Sequence, residues 1–258
     1  MQLLRRTTRW AVLAAALLGA TGLSACEPVD HDPPTAVGTE RVVIFGDSVP
    51  SGLVGTGSAT GLDQKRFTLL NGTISACDSA LPFYEERSAS GKLVDLAPGC
   101  SDGWSVHYPQ WLATHADVAI VMGGVHAMLD HRIDGTWTHP CTPVARDWVR
   151  DDLAARIAYL REHASEVVVV LPAWPGPLGR FIMPADYLAR ADCVRQALAD
   201  GAAAGGATTR DLGTYLCPTS PTSCLPYREA DGIHIDPVHA GTVLRWVLDP
   251  PALPITNS

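Results

Sequence analysis

The run Val42-Val43-Ile44-Phe45, ended at once by Gly46-Asp47-Ser48, constrains this chain more than any other stretch. Four consecutive apolar, β-rich residues are too few for a helix and read as a strand buried on both faces. Strands of that kind belong to parallel sheets with helices packed on both sides. In such open sheets the ligand crevice lies just outside the carboxyl ends of the strands. Ser48 therefore falls where a nucleophile is useful. Asp47 and Ser48 also have a plainer use, since both residue types cap helices and close turns.

The segment Asp231-Gly232-Ile233-His234, near the other end of the chain, adds a second half to this pattern. Gly232 allows a sharp turn, and at this spacing a carboxylate reaches the histidine of its own turn. It would hold Nδ1–H and leave Nε2 facing outward. A serine hydroxyl is a weak nucleophile and needs such a base, and the base needs an orienting partner. Taken singly, Asp-Gly is a common turn pair and a lone histidine is usually structural.

Together these residues resemble the SGNH (GDSL-like) hydrolase superfamily. Its first block is a strand followed by Gly-Asp-Ser, matched by Gly46-Asp47-Ser48, and its last is Asp-x-x-His, matched by Asp231 to His234. The similarity is closest to the SGNH domains linked to bacterial membrane acyltransferases, through Val118 to Met122, Gly124 to Asp130, Asp134-Gly135-Thr136-Trp137, Asp211-Leu212 and Cys217-Pro218. It runs from about Arg41 to Leu248. It implies a flavodoxin-like three-layer α/β sandwich of about five parallel strands, with Ser48, Asp231 and His234 as a catalytic triad. The second block of the family supplies a glycine N–H to the oxyanion; here Ala76 stands at that place, with Gly72 as a fallback. The third block supplies an asparagine; here the match is Gly124-Val125-His126. The expected oxyanion hole is thus the backbone N–H groups of Ser48 and Ala76 with the ring of His126, although His126 could instead only pack or face water.

The rest of the chain fits that frame. Phe67 to Ile74, Asp117 to Gly124, Val167 to Leu171 and Ala207 to Leu212 read as further strands. Asp147 to His163, Ala185 to Ala204 and Pro237 to Val247 read as helices, the first from Trp148, Leu153, Ile157 and Leu160 at near-helical spacing. Alternating strands and helices imply a doubly wound parallel sheet. Arg132 to His139 reads as a surface insertion near the site. His107, Trp104 and Trp111 either line a pocket or, more simply, pack the core.

Residues 1–25 begin with Arg5, Arg6 and Arg9, then an apolar run too short to span a bilayer, then Leu23-Ser24-Ala25-Cys26. This is a secretory signal, and its end resembles the bacterial lipobox, in which Cys26 takes a lipid and becomes the mature N-terminus. Arg5-Arg6 leaves both the general and the twin-arginine export routes open. Residues 26–39, with three prolines, read as a tether. Residues 40–258 form one expected domain, long enough for a sizeable core.

Lys plus Arg number 19 against 27 Asp plus Glu, a net charge of −8. With no basic run after the signal, nucleic acid is not an expected partner. Six cysteines follow Cys26, and an even number in an exported chain points to disulfides. Proximity favours Cys217 with Cys224 and Cys77 with Cys100, leaving Cys141 with Cys193; many other pairings remain open. No Cys-x-x-Cys pair supports zinc, and His126, Asp130 and His131 have one plausible further ligand at best, so no metal or cofactor is expected.

The resemblance implies an exported serine esterase acting on O-acyl, chiefly acetyl, groups of cell-envelope glycans. It would be a monomer held by a lipid on Cys26 to the outer face of the cytoplasmic membrane. Two alternatives stand beside it: an O-acyltransferase on the same substrates, and a catalytically silent glycan-binding module. The changed second and third blocks favour the module. The intact Ser48, Asp231 and His234 favour an enzyme.

Overall fold

The structure is a computed structural model and describes residues 39–57, 66–75, 77, 85–88, 90–94, 100, 104–176 and 185–249. Strand β1 is Glu40–Gly46, buried from Arg41 onward. A short helix, α1, Ser48–Gly52, follows and widens into a looser helical turn over Leu53–Gly57. Next come β2 (Phe67–Thr73), the two-residue β3 (Glu86–Arg87), α2 (Trp104–His107) and β4 (Ala116–Met122). The hairpin strands β5 (Asp130–Ile133) and β6 (Thr136–Thr138) precede α3 (Pro143–Arg161), β7 (Ala164–Leu171) and α4 (Tyr187–Gly205). The described chain ends with β8 (Thr208–Asp211), α5 (Leu212–Leu216) and α6 (Pro237–Leu248).

The main sheet has the order β2-β1-β4-β7-β8 with every pair parallel. This is the expected doubly wound arrangement. The chain reverses its direction across the sheet between β1 and β4, so the crevice at a topological switch point opens at their carboxyl ends. Gly46 pairs with Met122 there. The Gly46-Asp47-Ser48 turn and the Gly123-to-His126 turn therefore leave the sheet side by side.

The unbroken apolar strands are explained by two cores. Val43, Phe45, Ala119, Val121, Val167 and Val169 pack against Leu153, Ile157 and Leu160 of α3 and Val194 and Leu198 of α4. Their alternate neighbours, Val42, Ile44, Val118, Ile120, Val168 and Val170, pack against Leu212 and Leu216 of α5 and Val243, Leu244 and Val247 of α6. Each Val, Leu, Ile or Phe among them contributes about 1.5–3 kcal/mol when fully buried. The layers are helices, sheet, helices. Trp104 and Trp111 pack against the first core, and His107 bonds the Gly72 carbonyl at 2.8 Å, so these rings serve packing.

Two elements differ from the sequence reading. Helix α3 starts at Pro143, ahead of Asp147, because Thr142 caps it: the Thr142 hydroxyl accepts from Ala145 N–H at 3.3 Å and Pro143 fits the first helical position. The apolar stripe alone starts later and hides that first turn. Arg132 to His139 is a β-hairpin, and β5 also pairs with β3 to give a second, three-stranded antiparallel sheet. No helix among the described residues is long and apolar enough to cross a membrane.

Candidate active site

Gly46 builds the turn that presents Ser48. Its φ is +150°, and a Cβ there would lie 1.6 Å from the Met122 carbonyl oxygen, so no other residue fits. Asp47 then caps α1, its Oδ1 accepting from Val49 N–H at 2.8 Å. Ser48 becomes the first residue of the helix and is left half-buried at the sheet edge.

His234 arrives on the turn before α6. Asp231 Oδ1 accepts from the backbone N–H groups of Ile233 at 2.8 Å and His234 at 3.0 Å, so the carboxylate organises its own turn. Its Oδ2 lies 2.5 Å from His234 Nδ1, and His234 Nε2 lies 2.8 Å from Ser48 Oγ. Serine, imidazole and carboxylate thus form one continuous hydrogen-bonded chain across 186 residues of sequence. Burial pushes the Asp231 carboxyl up, but the His234 ring and the two N–H groups outweigh it and hold the carboxyl below its usual range. An ionised carboxylate accepts from Nδ1–H, which leaves Nε2 as the acceptor for the serine proton.

Arg228 fixes that turn and was not singled out in the sequence. It is buried, and its guanidinium donates to the carbonyls of Ile233, Ala173 and Trp174. It thereby ties the His234 turn to the loop that leaves β7. Burial pushes its pKa down to about 10, against the pull of the Asp231 and Asp47 carboxylates. An arginine beside Glu229 reads in sequence as a solvated surface pair, so no local signal marked it. Asp47 is 1 % exposed. Burial raises its carboxyl above the usual range, despite the neighbouring His126 and His234 rings and the N–H groups of Val49 and Gly124. Asp47 and Arg228 line one small pocket with Val49, Met122, Pro172 and Leu212.

His126 lies in a tight turn after β4, buried, with Nδ1 2.8 Å from Glu86 Oε2. Glu86, itself buried on β3, was also missed by sequence reasoning. Gly72 lies within β2 opposite Phe45, and a Cβ there would meet the Phe45 ring at 2.7 Å; its glycine answers a packing need. Ala76 and Cys26 lie outside the described residues. The cysteines are brought together as Cys77 with Cys100, Cys141 with Cys193 and Cys217 with Cys224, with Cα separations of 5.5, 5.1 and 4.5 Å.

Among the described residues, Glu229, Asp231 and His234 alone show metal-ligand spacing, with one candidate atom each within 4.8 Å. Both ring nitrogens of His234 already bond Asp231 and Ser48, so a cation would have to displace one of those bonds. Asp130 is held by Arg190 and Arg87.

No family model and no curated protein matches the chain. Solved structures do. A lipase/acylhydrolase from Enterococcus faecalis superposes with a TM-score of 0.54 at 16% identity, over 81% of this chain and 94% of its own. A carbohydrate acetylesterase family member from Sinorhizobium meliloti gives 0.50 at 18% identity, over 81% and 99%. A GDSL-like lipase candidate from Parabacteroides merdae gives 0.50 at 14% identity, over 82% and 95%. The chain shares the fold of these proteins, one of which is described as GDSL-like. In this fold the Ser48 turn after β1 and the His234 turn before α6 meet at one sheet edge.

Proposed function

We propose that this protein is an exported serine esterase that removes O-acyl groups, acetyl above all, from cell-envelope glycans. The observation that carries the reading is the hydrogen-bonded chain from Ser48 Oγ through His234 to Asp231. Ser48 Oγ attacks the ester carbonyl while His234 Nε2 takes its proton. Asp231 orients the ring and stabilises the imidazolium. The carbonyl oxygen becomes an oxyanion facing the Ser48 backbone N–H group and His126. Collapse expels the alcohol, which receives the proton from His234. Water, activated by the same histidine, then attacks the acyl-serine and releases the acid.

The likeness in fold to a lipase/acylhydrolase and to a carbohydrate acetylesterase family member supports ester chemistry. The signal-like residues 1–25 support export, as do three cysteine pairs at bonding distance, since such pairs persist in oxidising compartments. Cys26 is the proposed lipid anchor at the outer face of the cytoplasmic membrane, which brings envelope glycans within reach.

The test is labelling of the purified protein by a fluorophosphonate serine probe, followed by release of acetate from O-acetylated glycan. A single adduct on Ser48, absent in His234→Ala, with acetate release by the parent, is the expected result. A folded protein that takes no adduct and releases no acid overturns it. Transfer of the acetyl group to a sugar hydroxyl in place of water would make the enzyme an acyltransferase.

A further inference from the structure

The small pocket at the carboxyl ends of β1, β4 and β7 is walled mainly by apolar side chains, among them Met122, Pro172 and Leu212. Asp47 and Val49 line it, but Ser48 between them and His234 do not. It is therefore distinct from the Ser48–His234 contact.

Two charged side chains interrupt the apolar wall. Asp47 is 1 % and Arg228 8 % exposed. Asp47 commits Oδ1 to the Val49 N–H, and Arg228 commits its two terminal nitrogens to the carbonyls of Ile233, Ala173 and Trp174. Each side chain keeps one further buried atom with no hydrogen-bond partner: Asp47 Oδ2 and Arg228 Nε. The Gly124 N–H favours the ionised Asp47 carboxyl, yet it makes no hydrogen bond of normal geometry to Oδ2. The two groups feel one another, since the Asp47 carboxylate helps to hold the Arg228 proton against burial.

Buried polar atoms are nearly always hydrogen-bonded, and one left unmet carries its full cost of desolvation. Here two such atoms belong to residues that share one pocket. Their chemistry defines what would satisfy both. Nε–H can only donate, and an ionised Oδ2 can only accept. The ligand must accept from the first and donate to the second. A cation would be repelled by the guanidinium and an anion by the carboxylate, with little solvent to screen either. The ligand is therefore neutral, and the pocket requires it to be small. Water meets these conditions. It still meets them if Asp47 takes up a proton, because it can then accept from the carboxyl instead. The pocket has room for a water molecule, and waters buried in proteins are held in this way by polar groups that otherwise lack partners.

We propose that this pocket is a binding site for a buried water molecule that bridges Asp47 Oδ2 and Arg228 Nε–H. Asp47 caps the helix whose first residue is Ser48, and Arg228 holds the Ile233 carbonyl in the turn of Asp231 and His234. The water thus joins the two turns that carry the serine and its base, in addition to their direct contact at Ser48 Oγ. The site stands on the pocket and its two side chains and does not depend on the esterase reading.

The test is a high-resolution crystal structure of the full chain, purified in detergent, with a second data set from a crystal pressurised with xenon. One solvent peak is expected at about 2.7–3.2 Å from both Asp47 Oδ2 and Arg228 Nε, with no xenon in the pocket. Xenon enters dry apolar cavities, so its presence there overturns the proposal. A direct Asp47–Arg228 hydrogen bond, a solvent peak on one of the two alone, or no peak at all overturns it equally. In solution, the Arg228 Nε–H of ¹⁵N-arginine-labelled protein, assigned through its contacts with Ile233, is expected to show a nuclear Overhauser effect to water with the sign of a long-lived molecule. An effect of the opposite sign, or none, overturns the proposal. Neither measurement needs a substitution, so neither can fail through a variant that does not fold.

Discussion

Gly176 and Gly232 meet backbone to backbone: the Gly176 N–H donates to the Gly232 carbonyl at 2.6 Å, and a Cβ on either would lie 3.0 Å from the other's Cα. The contact locks the loop after β7 against the turn that carries Asp231 and His234. Gly232 also has a φ of +72°, a conformation that side chains resist. Gly232→Ala must push this turn away from the loop. Strain of this kind costs about 1–3 kcal/mol. A displacement of about 1 Å at a reacting group costs on the order of 10² in rate. The expected outcome is a folded variant with a lowered melting temperature and a kcat reduced more than its KM is raised. Unchanged kcat on the same ester would show that the glycine contact does not set the position of His234.

The three cysteine pairs close loops of different length, with separations of 52, 23 and 7 residues. If restriction of the unfolded chain dominates, the longest loop contributes most. Removing Cys141–Cys193, Cys77–Cys100 and Cys217–Cys224 is expected to cost roughly 4, 3 and 2 kcal/mol in that order. Urea unfolding of the three paired Cys→Ala variants checks the ranking. A reversed order would mean that native contacts around the short Cys217–Cys224 loop outweigh chain entropy.

What the sequence made legible follows from where the physics is local. Val42 to Phe45 and Val167 to Leu171 are buried on both faces, and burial of that kind writes itself as an unbroken apolar run. Asp231 and His234 share a turn three residues long, so their contact is a matter of spacing. Glu86 and Arg228 were invisible for the opposite reason. Each is a charged residue in a polar stretch, and only the β3–β5 pairing or the approach of the β7 loop buries it. The hairpin at Asp134-Gly135 carried a turn signal, but its two strands are too short to show alternation. Thr142-Pro143 carried a helix-start signal that the apolar stripe beginning at Trp148 obscured.

The buried Asp47 makes a pH-dependent prediction. Its folded pKa lies above the value of 3.8 that it takes when unfolded. Between those two values the folded state holds more protons, so this group lowers stability as pH rises through the window. Asp47→Asn keeps a side-chain oxygen that can accept from Val49 N–H and removes the titration. The difference in melting temperature between variant and parent is expected to move in the variant's favour as pH is raised from below 3.8 toward neutral. A difference that is constant with pH would mean that the Asp47 carboxyl is not destabilised by burial.

Asp231 carries the opposite sign. Its folded pKa lies below 3.8, because the His234 ring and the N–H groups of Ile233 and His234 overcome the cost of burial. Its contribution to stability is fully present above the unfolded value and is lost as pH falls through the folded one. Asp231→Asn forfeits that contribution, so the variant is expected to be less stable than the parent near neutrality, with the gap closing as pH drops below 3.8. Activity separates the structural part of the carboxylate from its role in orienting the base. The asparagine oxygen can still accept from the two backbone N–H groups, but its amide N–H toward Nδ1 would favour the wrong imidazole tautomer. The loss in kcat is expected on the order of 10³–10⁴ at neutral pH, smaller than that of Ser48→Ala, the pattern of Ser-His-Asp hydrolases. Equal melting curves at all pH values combined with full turnover would remove Asp231 from both roles, and a stability gap with unchanged kcat would leave it the first alone.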